Sequence, residues 1–369
     1  MSYQKQKNIQ IPVTQPFLPP EDEYMRLLDT VWKRNWLTNN GPLVQEFEQK
    51  IKDYLGLGEL VYVSSGTIAL QIAIKALGLD GEIITTPFSY VATTSSIVWE
   101  GCKPVFVDID PETWNLNPSQ IADALTEQTS AILATHVFGT PCDIEGIREV
   151  ANHYELKVIY DAAHAFGSQY KNQSLFDYGD ISTASFHATK LLHTVEGGAI
   201  ITRDAKVAER ARYMRNFGHA GPGNFNGVGI NGKSSEFHAA MGLANLKYIE
   251  KILQKRNELS KFYDQLLGNT PLIRPKIENE EAHNRSYYPV LFESEKQVIN
   301  IQEKLKKDNI QTRRYFYPKL SDLEYVERSG NRTLPVAEDV SNRVLCLPLY
   351  HKLQKNEIEM ICDKIKSGL

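Results

Sequence analysis

The chain has 369 residues, 42% of them hydrophobic and 23% charged, which is length and apolar content enough for two domains with substantial cores. A formal net charge of −4 and a pI near 6.2 show no lysine or arginine excess, which argues against a nucleic-acid partner. No stretch approaches the ~18 apolar residues of a membrane span and no apolar run follows the first lysines, so no membrane is expected and the cytoplasm is the default compartment. Cys102, Cys142, Cys346 and Cys362 lie far apart without CxxC or Cys/His ligand spacing, so free thiols and no structural metal are expected. The N-x-S/T sequons at Asn172, Asn284 and Asn331 then have no glycosylating compartment and read as chance matches.

Taken in chain order, "WLTNNGP" comes first, with Trp36, Thr38 and Asn39. It reads either as a turn between helices or as part of a binding surface. "VSSGTIALQIAIKALGL" puts a short strand end at Val61–Val63, a turn at Ser64–Gly66 and a helix from Thr67 to about Leu77. The free N–H groups at such a helix start suit a phosphate and Gly66 permits close approach, while a plain helix cap is the alternative. The GK[ST] ending of a Walker loop is absent. Strand-length apolar runs follow: "EIITTP", "PVFVDI", "AILATHVF", "KVIYDAA" and "GAIITR". They are nearly continuous rather than alternating, as in strands buried on both faces of a mainly parallel α/β sheet. Between them "SQIADALTEQ" and "DIEGIREVANHYE" carry apolar residues at helical spacing, Ile121/Leu125 and Ile144/Ile147/Val150.

Three of these strand ends carry candidate chemistry. Tyr90, after "TTPFS", either stacks on a planar ligand or packs in the core. Asp161, at the end of "KVIYD", either contacts a ligand or caps the Ala-rich segment after it. His164, three residues on, is either a packed core histidine or a neighbour of the same ligand. "SFHATKLLHTVEGGAI" adds Ser185 and Lys190, and a lone lysine by itself is usually a solvated surface charge. Gly227, Gly229 and Gly232 in "GVGING" match the dinucleotide pattern G-x-G-x-x-G, but loop-like "HAGPGNFN" stands where the strand should be, so a Rossmann site is rejected. "KSSEFHAAMGLANLKYIEKIL" reads as one helix with Phe237, Ala240, Met241 and Ala244 on one face. From about residue 248 charged helical stretches surround "YYPVLFE", and a smaller α+β domain over 248–369 is expected to follow a larger one over 1–247. "TRRYFYPKL", with Arg313 and Tyr315, either closes over a substrate or has a solvated or packing role.

A phosphate cradle, a stacking aromatic, a carboxylate and a lysine near the strand ends of one sheet suit a single ligand, pyridoxal 5′-phosphate (PLP). Lysine condenses with its aldehyde, and an anion beside the pyridine nitrogen keeps that nitrogen protonated. The ordered blocks "SSGTIAL", "TPFSYVAT", "GCKPVFVDID", "THVFGTPCD", "DAAHAFG", "SFHATKLLHTVEGGAI", "GINGKSSEFHAAMGL" and "LCLPLY" resemble the DegT/DnrJ/EryC1/StrS family of sugar aminotransferases. The resemblance runs from about residue 11 to 353. It implies an α/β fold of PLP fold type I, aspartate-aminotransferase-like, with a three-layer α/β/α large domain, a smaller α+β C-terminal domain and a homodimer whose active site lies at the subunit interface.

On that resemblance Lys190 is the cofactor-bound lysine, Asp161 the pyridine partner, His164 the residue beside the ring hydroxyl and Tyr90 the stacking aromatic. Gly66, Thr67 and Ser185 contact phosphate, and Asn231 reaches it from the second subunit. Lys233 stands where many members have arginine, a point charge in place of a bidentate fork. His193 stands where relatives often have asparagine. The opening segment and the Tyr90 and Cys142 blocks resemble members that aminate carbon 4 of dTDP-4-keto-6-deoxyglucose with L-glutamate for surface-glycan synthesis. Trp36, Thr38, Asn39, Lys233, Arg313 and Tyr315 are the substrate-binding candidates. Amination at carbon 3 of an isomeric keto sugar, or a noncatalytic PLP-binding regulator, are the alternatives.

Overall fold

A computed structural model describes residues 11–280, 282–326 and 332–369. The opening decapeptide and the Asn331 sequon lie outside the described residues. Two helices come first, α1 (Glu21–Arg34) and α2 (Pro42–Leu55). Pro42 opens α2 at no cost, because the first helical residue has no intrahelical partner for its N–H. Between the helices Asn35, Asn39 and Asn40 have φ of 51°, 61° and 58°, a left-handed conformation that asparagine tolerates. "WLTNNGP" is therefore a turn.

The alternation then begins: β1 (Glu59–Val63), α3 (Gly66–Ala76), β2 (Glu82–Thr85), α4 (Val91–Trp99), β3 (Lys103–Phe106), β4 (Thr129–Thr135), α5 (Ile144–His153) and β5 (Lys157–Asp161). A small hairpin of β6 (Gln169–Tyr170) and β7 (Gln173–Ser174) leads to β8 (Ile181–Ser185), β9 (Gly198–Thr202), α6 (Ala205–Met214) and α7 (Glu236–Leu246). Seven strands form one sheet in the order β1-β9-β8-β5-β4-β2-β3. β9 runs antiparallel to both its neighbours, and every other pairing is parallel. The C-terminal ends of β1, β2, β4, β5 and β8 consequently share one edge with the start of β9. Open α/β sheets bind their ligands at that edge.

Alternate residues of the same strands serve two cores. Leu60, Tyr62, Ile132, Ala134 and Tyr160 pack with α2, α5 and α7 on one face. Val61, Val63, Ala131, Leu133 and Ile159 pack with α3 and α6 on the other. Three layers result, as expected. The rest of the chain is α8 (Ile249–Leu267), β10 (Tyr288–Leu291), α9 (Glu295–Lys307), α10 (Pro335–Arg343), β11 (Val344–Leu347) and α11 (Lys355–Lys366). β10 and β11 pair antiparallel under a further core built from α8, α9 and α11. α8 spans both cores: Ile249 and Ile252 belong to the large one, Leu259, Tyr263 and Leu267 to the smaller. Ile11 also joins the smaller core, where its N–H and carbonyl pair with Asn309 and Gln311.

Three local expectations need correction. "SQIADALTEQ" forms two short 3₁₀ turns, Pro118–Gln120 and Ala122–Ala124, in place of a helix. Buried Ile121 and Ala124, three apart, superpose at the tighter 3₁₀ repeat. The segment after "GVGING" breaks into α7 and α8 at Lys247–Tyr248, and α7 is enclosed all round rather than on the one face named, since Ala239, Gly242 and Leu243 are buried too. The Ala-rich segment after Asp161 makes turns, not a helix for it to cap. Among the described residues no helix is long and apolar enough to cross a membrane.

Candidate active site

A cavity of about 380 Å³ opens at the shared sheet edge. Its first wall is the start of α3. Ser65 caps the helix, its Oγ accepting from Ile68 N at 3.2 Å. The N–H groups of Gly66 and Thr67 have no acceptor among the described residues. The turn is thus a helix cap that leaves two N–H groups facing the cavity, so the cap reading does not exclude the anion-binding one. A Cβ on Gly66 would lie 2.9 Å from Ser185 Cβ, so glycine is what lets the end of β8 close against the helix start. Gly198 does the same for β9, where a Cβ would meet the Ser65 carbonyl at 2.4 Å.

Opposite this wall Asp161 ends β5, only 5% exposed. Thr93 Oγ1 donates to its Oδ2 at 2.7 Å and Ala163 N to its Oδ1 at 3.2 Å. Thr93 is itself fixed by Ser89 at 2.8 Å, which receives Thr135 Oγ1 at 3.0 Å. Burial pushes the Asp161 carboxyl above its ordinary value, while Thr93, Ala163 and the nearby Lys190 pull the other way. His164 lies in the following turn with its ring parallel to Phe316 at 5.8 Å and 4.8 Å from Tyr287. Its Nδ1 is buried without a partner among the described residues. Desolvation, then the Lys190 charge, hold the imidazole well below its usual range and therefore neutral. Asn284 pins this turn by donating to the carbonyls of His164 and Phe166 at 2.6 and 2.9 Å. At 3% exposure, this asparagine is closed to glycosylation.

Lys190 stands in the loop between β8 and β9, its N–H donating to His187 O at 2.8 Å. Burial pushes its ammonium down to about 8; Asp161 opposes the shift and Arg313 adds to it. Tyr90 is 54% exposed at the rim, which rules out the core-packing alternative. Arg313, Tyr315 and Phe316 line the cavity from the C-terminal part of the chain, Phe316 packing in a further cluster with Phe88, Trp114 and Phe138, and Arg313 Nη1 donates to Tyr315 Oη at 2.6 Å.

Gly66, Thr67, Tyr90, Asp161, His164, Ser185, Lys190, Arg313 and Tyr315 all line this one cavity. Thr38, Asn39, Asn231 and Lys233 do not. They gather in a second, polar cleft of about 450 Å³ with Ser64, Ser234, Ser235 and His238. There Lys233 Nζ donates to Asn231 Oδ1 at 2.8 Å, and Gly232 O accepts from Ser64 N at 2.8 Å. Trp36 lines neither cavity; its indole N–H donates to Thr38 O at 2.6 Å. His193 is buried, its Nε2 2.6 Å from Phe17 O.

The sequence profile of the DegT/DnrJ/EryC1/StrS aminotransferase family matches residues 20–366. The chain belongs to this family. It is 42% identical over 361 residues to the dTDP-4-amino-4,6-dideoxy-D-glucose transaminase of Shigella dysenteriae, covering 96% of this chain and 98% of that one. Identity to the enzyme of the same name from Escherichia coli is 43% over 368 residues, covering 97% and 98%. Among solved structures, DesI in the presence of its TDP-sugar product superposes with a TM-score of 0.93 at 33% identity, over 98% of this chain and 93% of that one. The α/β architecture with its mixed seven-stranded sheet is thus the aminotransferase fold of this family.

Sequence reasoning did not single out Thr93, Ser89, Thr135, Phe316 or Glu196. Thr93 had a usable signal: it lies one helical turn after Tyr90 at the start of a helix, so its hydroxyl faces the same sheet edge.

Proposed function

We propose that this chain is a PLP-dependent aminotransferase that transfers the amino group of L-glutamate to dTDP-4-keto-6-deoxy-D-glucose. The product is dTDP-4-amino-4,6-dideoxy-D-glucose, made in the cytoplasm for an O-antigen or other surface glycan. The named relatives support the sugar, and the site supports the chemistry. The single observation that carries the chemistry is a lysine pushed down to about 8 in the same cavity as a buried carboxylate that Thr93 holds in place.

The residues present fit the cofactor. The unbonded N–H groups of Gly66 and Thr67, with the Ser185 hydroxyl, would hold its phosphate. Asp161 would meet the pyridine nitrogen, Tyr90 and neutral His164 would hold the ring, and Lys190 would take the aldehyde. Bound there, PLP supplies an electron sink for the carbon whose C–H bond must ionise.

This chain's own groups do the rest. With a pKa of about 8, roughly a tenth of Lys190 is free amine at pH 7, enough for Nζ to take a proton from the donor carbon and return one to the acceptor carbon. The relay from Thr135 through Ser89 to Thr93 fixes Asp161 so that its charge points at the cation it must stabilise. Arg313 adds a cation at the roof for a carboxylate of the amino donor, and Tyr315 and Phe316 restrict water.

The second cleft, which has no lysine–aspartate pair of its own among the described residues, supports a homodimer. Asn231 and Lys233 of one subunit would reach the phosphate and sugar nucleotide of the other, and Trp36, Thr38 and Asn39 would flank them. A division of the chain at about residue 248, with α8 as connector, belongs to the same reading.

The test is borohydride reduction of the PLP-loaded protein, proteolysis and mass analysis. Cofactor mass on the Lys190 peptide, with loss of both cofactor attachment and turnover in Lys190→Ala, is expected. Normal turnover by that variant contradicts the reading. A coloured protein that L-glutamate leaves unchanged is instead a PLP-binding regulator.

A further inference from the structure

Only two carboxylates line the main cavity among the described residues, and the proposed chemistry uses one of them. Asp161 is buried and doubly bonded into place. Glu196 is different: its side chain is 56% exposed and its oxygens accept no hydrogen bond from the described residues. Its nearest basic group is His187, with Nε2 at 3.6 Å. Glu196 also lines the polar cleft of Asn231 and Lys233, and no other described residue is common to both cavities.

The backbone ahead of it is held under strain. Val195 has a φ of 69°, a left-handed conformation that a β-branched residue rarely enters. Such a conformation persists only where the surroundings over-determine it. Here Val195 N donates to His193 Nδ1 at 3.2 Å, and His193 Nε2 donates to Phe17 O at 2.6 Å. One neutral tautomer of His193 satisfies both contacts. Thr194 Oγ1 donates to Glu196 O at 2.7 Å, and Phe186 N donates to Gly197 O at 2.8 Å. His193, which the family resemblance left without a role, is the pivot of this turn.

We propose that Glu196 is the residue that selects the sugar: its carboxylate accepts hydroxyl protons from the hexose ring held beside Lys190, and His193 with strained Val195 positions it. The proposal rests on the reading of the site as an aminotransferase that takes two substrates in turn. A carboxylate only accepts hydrogen bonds, and a hexose is rich in O–H donors. Bonds from hydroxyl to carboxylate are roughly twice as strong as neutral ones. L-Glutamate has no hydroxyl donors to offer Glu196 and presents its carboxylates to Arg313, so the two substrates are distinguished by the hydroxyls of the ring rather than by net charge.

Two variants of the PLP-loaded enzyme test this, Glu196→Gln and Val195→Gly. The first measurement is the single-turnover reaction with L-glutamate, followed by the change in cofactor colour. The second is the KM for dTDP-4-keto-6-deoxyglucose at saturating L-glutamate. Glu196→Gln is expected to hold the L-glutamate step within about twofold and to raise the sugar KM by about tenfold or more. Val195→Gly, which frees the turn from its constraint, is expected to change the sugar KM in the same direction with the L-glutamate step intact. An unchanged sugar KM in Glu196→Gln, or an equal loss in both steps, overturns the proposal. An unchanged sugar KM in Val195→Gly overturns the positioning role. A wild-type enzyme whose colour does not respond to L-glutamate overturns the aminotransferase reading itself, which is a different result from a responsive wild type with an indifferent Glu196→Gln.

Discussion

Lys190→Met should stabilise the cofactor-free protein at neutral pH. At Lys190 burial lowers the ammonium from 10.5 to about 8. At ~1.4 kcal/mol per pH unit that difference corresponds to about 3 kcal/mol. Because the folded value is depressed, the folded state binds this proton less well than the unfolded chain. The cost is therefore fully present below about pH 8 and disappears as pH rises through 10.5.

Methionine keeps an unbranched stem in the site and removes the charge. It also removes the cation beside Asp161, and Lys190 is only partly enclosed, so the net gain at pH 7 is about 1–3 kcal/mol. Urea denaturation of the stripped proteins at pH 7 and again near pH 10.5 measures it. The variant should lead at pH 7, the gap should close at high pH, and turnover should be lost throughout. A Lys190→Met protein less stable than wild type at pH 7, or a gap independent of pH, would refute the assignment of Lys190 as a desolvated ammonium.

Other expectations follow from the same cavity. Gly66→Ala should weaken PLP retention on dialysis at a cost of about 1–3 kcal/mol, because its Cβ meets Ser185 Cβ at 2.9 Å. In a Ser185→Gly background the same substitution should cost little, and an equal cost in both backgrounds would contradict the contact. Asp161→Asn should keep the fold and lower the rate of both half-reactions by about 100-fold or more, as measured by single-turnover kinetics. Unchanged rates would remove its role. Thr93→Val deletes a bond to the ionised Asp161, so the carboxyl should rise further and the acid limb of the pH–rate profile should move to higher pH. An acid limb that stays in place would show that Thr93 does not govern that carboxyl.

Much of this was legible in the chain because the sheet strands are continuous apolar runs and the site residues follow them. Ile83, Ile84 and Ala131 to Ala134 are fully buried, and their runs ended where Tyr90 and the Thr135 edge begin. β8 was not legible as a strand, since three of its five residues are Ser182, Thr183 and Ser185. Two of these hydroxyls donate to backbone carbonyls, Ser182 Oγ to Tyr178 O at 2.9 Å and Thr183 Oγ1 to Tyr160 O at 3.4 Å on the neighbouring strand, and no local pattern announces such partners. Glu196 was hidden for another reason. Its placement depends on a strained residue held by His193, whose anchor, Phe17, lies 176 positions away in sequence. Nor does spacing indicate that Asn231 and Lys233 sit apart from the lysine cavity, because the separation arises from Gly232 docking on Ser64.

The central claim is the transfer of an amino group to carbon 4 of the keto sugar. NMR of the product made by PLP-loaded enzyme with L-glutamate and a choice of dTDP-4-keto-6-deoxyglucose or its 3-keto isomer tests it most directly. An equatorial amine at carbon 4 is the predicted result. An amine at carbon 3, or none from either sugar, would contradict it.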